Sequence, residues 1–477
     1  MSTTSSLASK RIETLLDESS FVEIGALVTA RATDFNLKQT ETPSDGVVTG
    51  YGVINGNLVY VYSQDASVLN GSVGEMHAKK IIHLYDLAMK TGAPVIGLID
   101  SAGLRLQEAT DALNAFGEIY LKQTLASGVV PQITAVFGSC GGGLALIPAL
   151  TDFTFMESTK AKLFVNSPNA LDGNNISKCD SSSADFQSKE SGMIDAVADE
   201  AAIYAKIREL VTMLPGNNED DASVTECTDN LNRVCADLAN CVGDTSIALS
   251  TIADNQIFFE TKGNYAKDMV TGFIKLNGIT IGCVANRTEV YNADGEIGEK
   301  FAPVLSVKGC EKAADFIQFC DAFQIPVLSL TNVKGYEATV DSEKHIAKAV
   351  AKLTYAFANA TVPKVNVVIG KAYGSAYVAM NSKAIGADFT IAWADAEIGS
   401  MDANLAAKIM YDGQGADVIK EKAAEYAALQ TSAMGAAKRG YVDQIIEAAD
   451  TRKYVIGAFE MLYTKREARP SKKHGTV

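Results

Sequence analysis

The chain has 477 residues, enough for two or three domains with sizeable cores, which excludes a single small binding module. Apolar residues make up 47% and charged residues 21%, the proportions of a folded globular protein and not of a disordered segment or a coiled coil. With 42 Lys and Arg against 57 Asp and Glu the net charge is −15, so no global positive field attracts a nucleic acid, and an anionic ligand needs a local site.

The opening residues, MSTTSSLASKRIETLL, lack the apolar core and small-residue cleavage pattern of a secretory signal. The longest apolar runs, 93–99 and 144–150, fall well short of the ~20 residues that span a bilayer, so a cytoplasmic chain without a membrane span is expected. Further along, Val48-Thr49-Gly50-Tyr51 followed by Asn55-Gly56 predicts a strand, a tight hairpin turn and a second strand. Residues 79–87 carry a helical pattern that leads into the apolar run 94–99, a loop at Ser101-Ala102-Gly103, a helix over 115–126 and a second apolar run at 132–137. The cluster Gly138-Ser139-Cys140-Gly141-Gly142-Gly143 comes next, and then a helix over 144–150. Short apolar strands alternating with helices predict an α/β fold with buried strands.

Residues 215–254 are polar and acidic and read as a linker with a short helix around 231–238, which sets the expected domains at 1–225 and 226–477. Beyond it the chain repeats itself. Val270-Thr271-Gly272-Phe273 and Asn277-Gly278 restate the first hairpin at a constant offset of 222. Pro326, Gly335, Ala358, Val362, Pro363, Gly370 and Gly374 restate Pro94, Gly103, Ala126, Val130, Pro131, Gly138 and Gly142 at an offset of 232, without a gap. Asp388-Phe389-Thr390 then answers Asp152-Phe153-Thr154 at 236. A period near 230 residues means a duplicated domain, since solenoid units run to about 20–50 residues. In the second copy the strands are expected at 326–330 and 364–369 and the helices at 350–360 and from Tyr377.

Each glycine cluster, the second being Gly370-Lys371-Ala372-Tyr373-Gly374-Ser375-Ala376, falls at a strand-to-helix junction. Residues poor in side chain let a ligand approach main-chain N–H groups with a helix dipole behind them, which makes an oxyanion hole or a phosphate nest; a tight turn needing positive φ is the readier reading of a single such cluster, and two at matching places in a duplicated domain reverse that preference. Neither cluster fits the P-loop or the dinucleotide fingerprint. No G-x-S-x-G elbow or H-E-x-x-H occurs. His77 and His83 read as packing or surface residues on a helix, and Cys140 as a small buried thiol without a basic partner. Eight scattered cysteines without C-x-x-C and only four histidines argue against a disulfide framework and against any metal centre. Chemistry that leans on main-chain donors, such as holding a thioester enolate, suits this inventory.

Taken together, Arg11-Ile12-Glu13, Asp45 to Gly52, Ser63-Gln64-Asp65, Gly71 to Ile81 and Thr124 to Gly128 in the first half resemble the carboxyltransferase component of biotin-dependent acyl-CoA carboxylases. So do Asn264 to Lys267, Val270 to Phe273, Phe319 to Phe323, Lys371 to Gly374 and the ending Lys472-Lys473-His474-Gly475 in the second. The likeness covers nearly the whole chain apart from the linker and about 405–435. It implies two crotonase-like (ββα spiral) domains, and an active site formed where the first domain of one subunit faces the second of another, so a homo-oligomer of at least a dimer, with a trimer of dimers also allowed. It further implies that Gly142 and Gly143 hold the thioester oxygen of a short acyl-CoA, while Ser375 and Ala376 hold the ureido oxygen of carboxybiotin. Ala102, Gly103, Gly141, Gly374 and Tyr377 line the substrate, no side-chain base is needed, and biotin carboxylase or decarboxylase subunits are the expected partners. Arg105 is read either as a contact to a CoA phosphate or as a solvated arginine, and Val378 either as an acyl-pocket wall or as helix core. Ala88-Met89-Lys90 is followed by Thr91, where a biotinylation site has Met, so biotin is expected on a separate carrier protein.

Four departures stand out, one of them the segment Glu397 to Asn404, which strays from the family's usual Ala-Glu-Gly-Ala run. The family usually has Gly-Gly at Ala102-Gly103, Gly-Gly at Gly374-Ser375, and Pro-Gly-Phe at Lys334-Gly335-Tyr336. Propionyl-CoA/methylmalonyl-CoA is the first expected substrate pair and acetyl-CoA/malonyl-CoA the second. The rivals are the reverse transfer in a sodium-pumping decarboxylase, a biotin-free hydratase or hydrolase, and a degenerate scaffold subunit.

Overall fold

The structure, a computed structural model, describes residues 6–31, 41–220, 225–292 and 294–470. The Lys472 to Gly475 motif lies outside them. The chain forms two compact units, Met1–Ser223 and Val224–Val477, each with its own core.

In the first unit β1 (Val22–Ile24), β2 (Val47–Ile54), β3 (Asn57–Gln64), β4 (Val95–Ser101), β5 (Gln132–Gly141), β6 (Phe153–Glu157) and β8 (Ala196–Ala198) lie side by side in that order, and β7 (Lys162–Phe164) pairs with the end of β5. The second unit repeats the order with β9 (Phe258–Thr261), β10 (Met269–Leu276), β11 (Ile279–Asn286), β14 (Val327–Val333), β15 (Lys364–Tyr373), β16 (Phe389–Trp393) and β18 (Gln444–Ile446); β17 (Glu397–Gly399) pairs with β15. A small ribbon of β12 (Glu289–Tyr291) and β13 (Ile297–Lys300) is added to it.

The hairpins form as the Asn-Gly pairs dictate: Asn55 and Gly56 have φ of 49° and 81°, Asn277 and Gly278 of 51° and 77°, and two positive values in a row define the turn whose twist matches a hairpin. The parallel strands β4 and β14 are buried along almost their whole length, as the apolar run 95–99 requires, and the buried Ser329 and Thr331 of β14 donate to Asn366 Oδ1. Both units are also irregular at the same place. Ile99 faces Val136 but Ser101 faces Cys140, and Thr331 faces Val368 but Val333 faces Ala372, so β5 and β15 each carry two extra residues there. The glycines inside these bulges make room for neighbouring side chains: a Cβ on Gly138 would stand 1.9 Å from Asp100 Oδ1, and one on Gly370 would stand 2.7 Å from Asn332 Oδ1, so either substitution displaces that neighbour. Past the bulge the strand leaves β6 or β16 and runs against β7 or β17, which points its C-terminal turn away from the sheet.

Several boundaries differ from expectation. Pro148 cuts the helix expected at 144–150 to a 3₁₀ turn at Gly142–Ala145 and a short helix at Leu146–Ala149. The helix expected from Tyr377 begins at Gly374, which puts Ser375 and Ala376 in its first turn. The expected linker is, from Thr225 onward, part of the second unit. No helix forms at 231–238; a 3₁₀ turn at Leu238–Cys241 and a helix at Thr245–Ile252 bury Leu238, Leu249 and Ile252 in the core. The buried Arg452 stitches this segment down, donating to the carbonyls of Ile252 (2.6 Å) and Asn230 (3.2 Å) and pairing with Asp254 (2.6 Å). The helix Leu7–Leu15 precedes β1 as Thr245–Ile252 precedes β9, so each copy begins with a helix.

Candidate functional site

At the end of β5, Gly142 adopts φ +64°, and a Cβ there would meet no atom within 4 Å, so the turn faces open space. The amides of Gly142 and Gly143 precede the first intrahelical bond, with no partner inside the helix. The preceding loop lies alongside: Gly103 adopts φ +93°, and its Cβ position is 3.3 Å from the carbonyl oxygen of Gly141. Ala102 is exposed, but its amide is already given to Asn70 O (2.9 Å). Tyr120 Oη donates to Gly143 O at 2.6 Å and fixes that peptide plane. Thus Ala102, Gly103, Gly141, Gly142 and Gly143 are brought together by two strand ends. Sequence reading missed Tyr120; its place on the helix Ala109–Ala126 pointed only to packing.

The end of β15 is built the same way. Gly374 adopts φ +62°, and Ser375 and Ala376 offer amides ahead of the first intrahelical bond. Ser375 is exposed and lies outside the left-handed region, so replacing the family's glycine costs no backbone strain. Tyr336, on the loop after β14, donates its hydroxyl to Ser375 Oγ at 2.6 Å, which brings two departures from the family pattern into contact. Tyr377 and Val378 are half-buried on the same short helix, and burial pushes the Tyr377 phenol up to about 12. Tyr373 at the strand end gives its hydroxyl to Glu397.

Arg105, two residues beyond Gly103, is turned into the interior of the first unit. It is 1% exposed, its Nη1 lies 2.6 Å from Asp45 Oδ1 and 2.9 Å from Glu108 Oε1, and its remaining nitrogens go to Ser72. Four of its five N–H groups are engaged and the side chain is shut off from solvent, so neither the phosphate contact nor the solvated surface arginine holds. Cys140 is buried, with its thiol pushed well up by burial and its Sγ 3.6 Å from Leu144 O, so no thiolate nucleophile exists there. His77 is buried too; burial and then Arg105 hold its imidazole down at about 3, so it stays neutral, bonded to Asp45 and Gln64. His83 is exposed. What each turn presents is a pair of backbone amides ahead of its first intrahelical bond.

Residues 2–477 match the family described as carboxyl transferase domain. The chain is 40% identical over 484 residues to the propionyl-CoA carboxylase beta chain of Roseobacter denitrificans, covering 98% of this chain and 93% of the relative. It is 39% identical over 488 residues to the methylmalonyl-CoA decarboxylase subunit alpha of Propionigenium modestum, covering 98% and 92%. The transcarboxylase 12S hexamer, solved with hydrolysed methylmalonyl-coenzyme A bound, superimposes with a TM-score of 0.91 at 36% identity over 98% of this chain and 92% of that one. Duplicated crotonase-like α/β units, the family match and these relatives together define a carboxyltransferase. The chain belongs to the carboxyl transferase domain family, as an enzyme of the propionyl-CoA carboxylase beta and methylmalonyl-CoA decarboxylase alpha type.

Proposed function

We propose that this protein moves a carboxyl group between carboxybiotin, borne on a separate carrier protein, and the α-carbon of a short-chain acyl-CoA, with propionyl-CoA and methylmalonyl-CoA as the first substrate pair. The observation that carries the reading is the pair of matching turns, with φ of +64° at Gly142 and +62° at Gly374, each releasing two backbone donors at the end of a bulged strand. Gly142 and Gly143 hold the thioester oxygen as it gains enolate charge; a preorganised donor of this kind is worth about 2.7–4 kcal/mol. Ala102, Gly103 and Gly141 shape the approach of the acyl group. The uncharged, side-chain-poor turn at Ser375 and Ala376 suits a neutral ring carbonyl, with Gly374, Tyr377 and Val378 around it. When bound, carboxybiotin supplies the carboxyl group and takes up the α-proton, so no side-chain base is required; the neutral His77 and protonated Cys140 are consistent with that.

In this reading each active site joins the first unit of one subunit to the second of another, and the chain works in the cytoplasm as a homo-oligomer with carrier and biotin carboxylase or decarboxylase subunits. Among the described residues no helix is long and apolar enough to cross a membrane. The reverse transfer is the second reading, favoured by the decarboxylase alpha relatives from Propionigenium modestum and Veillonella parvula at 39% and 38% identity. Incubation of methylmalonyl-CoA or malonyl-CoA with free biotin tests the proposal: carboxyl transfer to biotin that follows methylmalonyl-CoA is expected. Turnover of the thioester that proceeds without biotin overturns it.

A further inference from the structure

The second turn has a feature that its twin lacks. Subtracting the repeat offset of 232 from Tyr336 and Ser375 gives Leu104 and Gly143, neither of which carries a side-chain hydroxyl. The pair is therefore confined to the second copy, and its members, far apart in sequence, meet at 2.6 Å. The loop bearing Tyr336 is clamped at every step: Lys334 N–H donates to Pro303 O (2.8 Å), Leu305 N–H to Gly335 O (3.0 Å), and Glu337 N–H to Leu305 O (2.9 Å). Tyr336 pairs with Leu305 as an isolated bridge, so the backbone that carries the phenol is held on both sides. A phenol is the stronger acid of the two hydroxyls and donates, leaving Ser375 Oγ as acceptor. The serine proton then has to point elsewhere, and among the described residues no acceptor takes it, while Ser375 itself is exposed beside its own free amide.

We propose that Tyr336 is a positioning residue that aims the Ser375 hydroxyl proton at the same ligand oxygen as the amides of Ser375 and Ala376, giving the second turn a third donor. This deepens the proposed function and rests on its assignment of a biotin ring carbonyl to that turn. Polarised by the phenol, the serine hydroxyl is a better donor than an isolated one.

The test compares the full-length protein with Tyr336→Phe, Ser375→Ala, Ser375→Thr and the Tyr336→Phe/Ser375→Ala double variant. Free biotin binding is read by ligand-observed NMR, coenzyme A binding by calorimetry and folding by thermal unfolding. Tyr336→Phe and Ser375→Ala are each expected to weaken biotin binding by about tenfold, the worth of one well-placed hydrogen bond. The double variant is expected to be no weaker than either single one, because the two hydroxyls act as a unit. Ser375→Thr keeps the hydroxyl and retains most of the affinity, and coenzyme A binding is unchanged throughout. Equal biotin affinity in the wild type and both single variants, or additive losses in the double variant, overturns the positioning role and leaves the proposed function standing. A wild-type protein that binds coenzyme A and no biotin overturns the underlying reading and this proposal with it.

Discussion

Arg105 lies between two carboxylates inside the first unit, and its guanidinium is what makes their burial tolerable. Asp45 and Glu108 are 0% exposed in their side chains, and burial raises the Asp45 pKa while Arg105 pulls it back down. Arg105→Ala would strand both acids, a loss of about 3–5 kcal/mol, and Arg105→Lys would recover little because a lysine cannot serve Asp45, Glu108 and Ser72 at once. Urea unfolding should show the loss, and the salt dependence of acyl-CoA KM in the surviving folded protein should not change. Asp152 gives the opposite case. It accepts from the Gln132 amide at 2.8 Å, and burial, with the Asp195 carboxylate adding to it, raises its pKa to about 7. Its counterpart Asp388 accepts from Lys364 N–H and has Lys465 Nζ at 2.8 Å. For Asp152 the folded state binds the proton more tightly than the unfolded state, whose pKa is 3.8. Its contribution to stability is therefore full below that value and is lost as the pH rises through about 7. Asp152→Asn keeps an acceptor for the Gln132 amide without the charge, and at pH 8 it should raise stability by up to about 4 kcal/mol, with little change at pH 4. Stability curves of the two proteins against pH check this, and parallel curves would refute it.

At the level of elements, the strand-to-helix turn is where sequence and structure agree in substance and differ in position. The buried strands, the Asn-Gly hairpins and the duplication were legible because each rests on local chemistry: alternation, a turn dipeptide, a fixed offset. The helix start at Gly374 was not, because Gly and Ser are poor helix formers and only the aligned end of β15 fixes that turn. Nor was the role of Arg105, whose partner Asp45 lies 60 residues away in sequence. Tyr336 and Ser375 were visible as oddities and unreadable as a pair for the same reason. Positive φ at Gly142 carries its own prediction. Gly142→Ala meets no neighbour within 4 Å, so the cost to folding is the backbone term alone, about 1–2 kcal/mol. Relief of that strain rotates the peptide that carries the Gly143 amide. Turnover is expected to fall about 100-fold or more, with a much smaller change in acyl-CoA KM, since the donor acts on charge that develops in the transition state. A variant with wild-type turnover would remove the first turn from the reaction.

Across the whole molecule, the two units repeat one strand order, and the acidic stretch from Thr225 onward, expected as a linker, opens the second unit. Composition misled there: an acidic stretch with sparse apolar residues resembles a linker, but Leu238, Leu249 and Ile252 are each at most 1% exposed, and Arg452 and Arg233 give its carbonyls their donors. Removing the segment would do more than shorten a tether. It would bare the face of the core that those three side chains cover, and leave the fully buried Arg452 without Asp254 or the carbonyls of Ile252 and Asn230. An uncompensated buried guanidinium alone costs several kcal/mol, comparable to the whole stability of an ordinary domain. A fragment of residues 224–477 is therefore expected to unfold in one cooperative thermal transition, whereas a fragment of residues 257–477 should be aggregated or lack a transition. Arg452→Met in the longer fragment separates the two contributions: it removes the buried charge but keeps the apolar cover, so it should unfold cooperatively at a lower temperature. If the shorter fragment melts like the longer one, residues 225–256 are a linker after all.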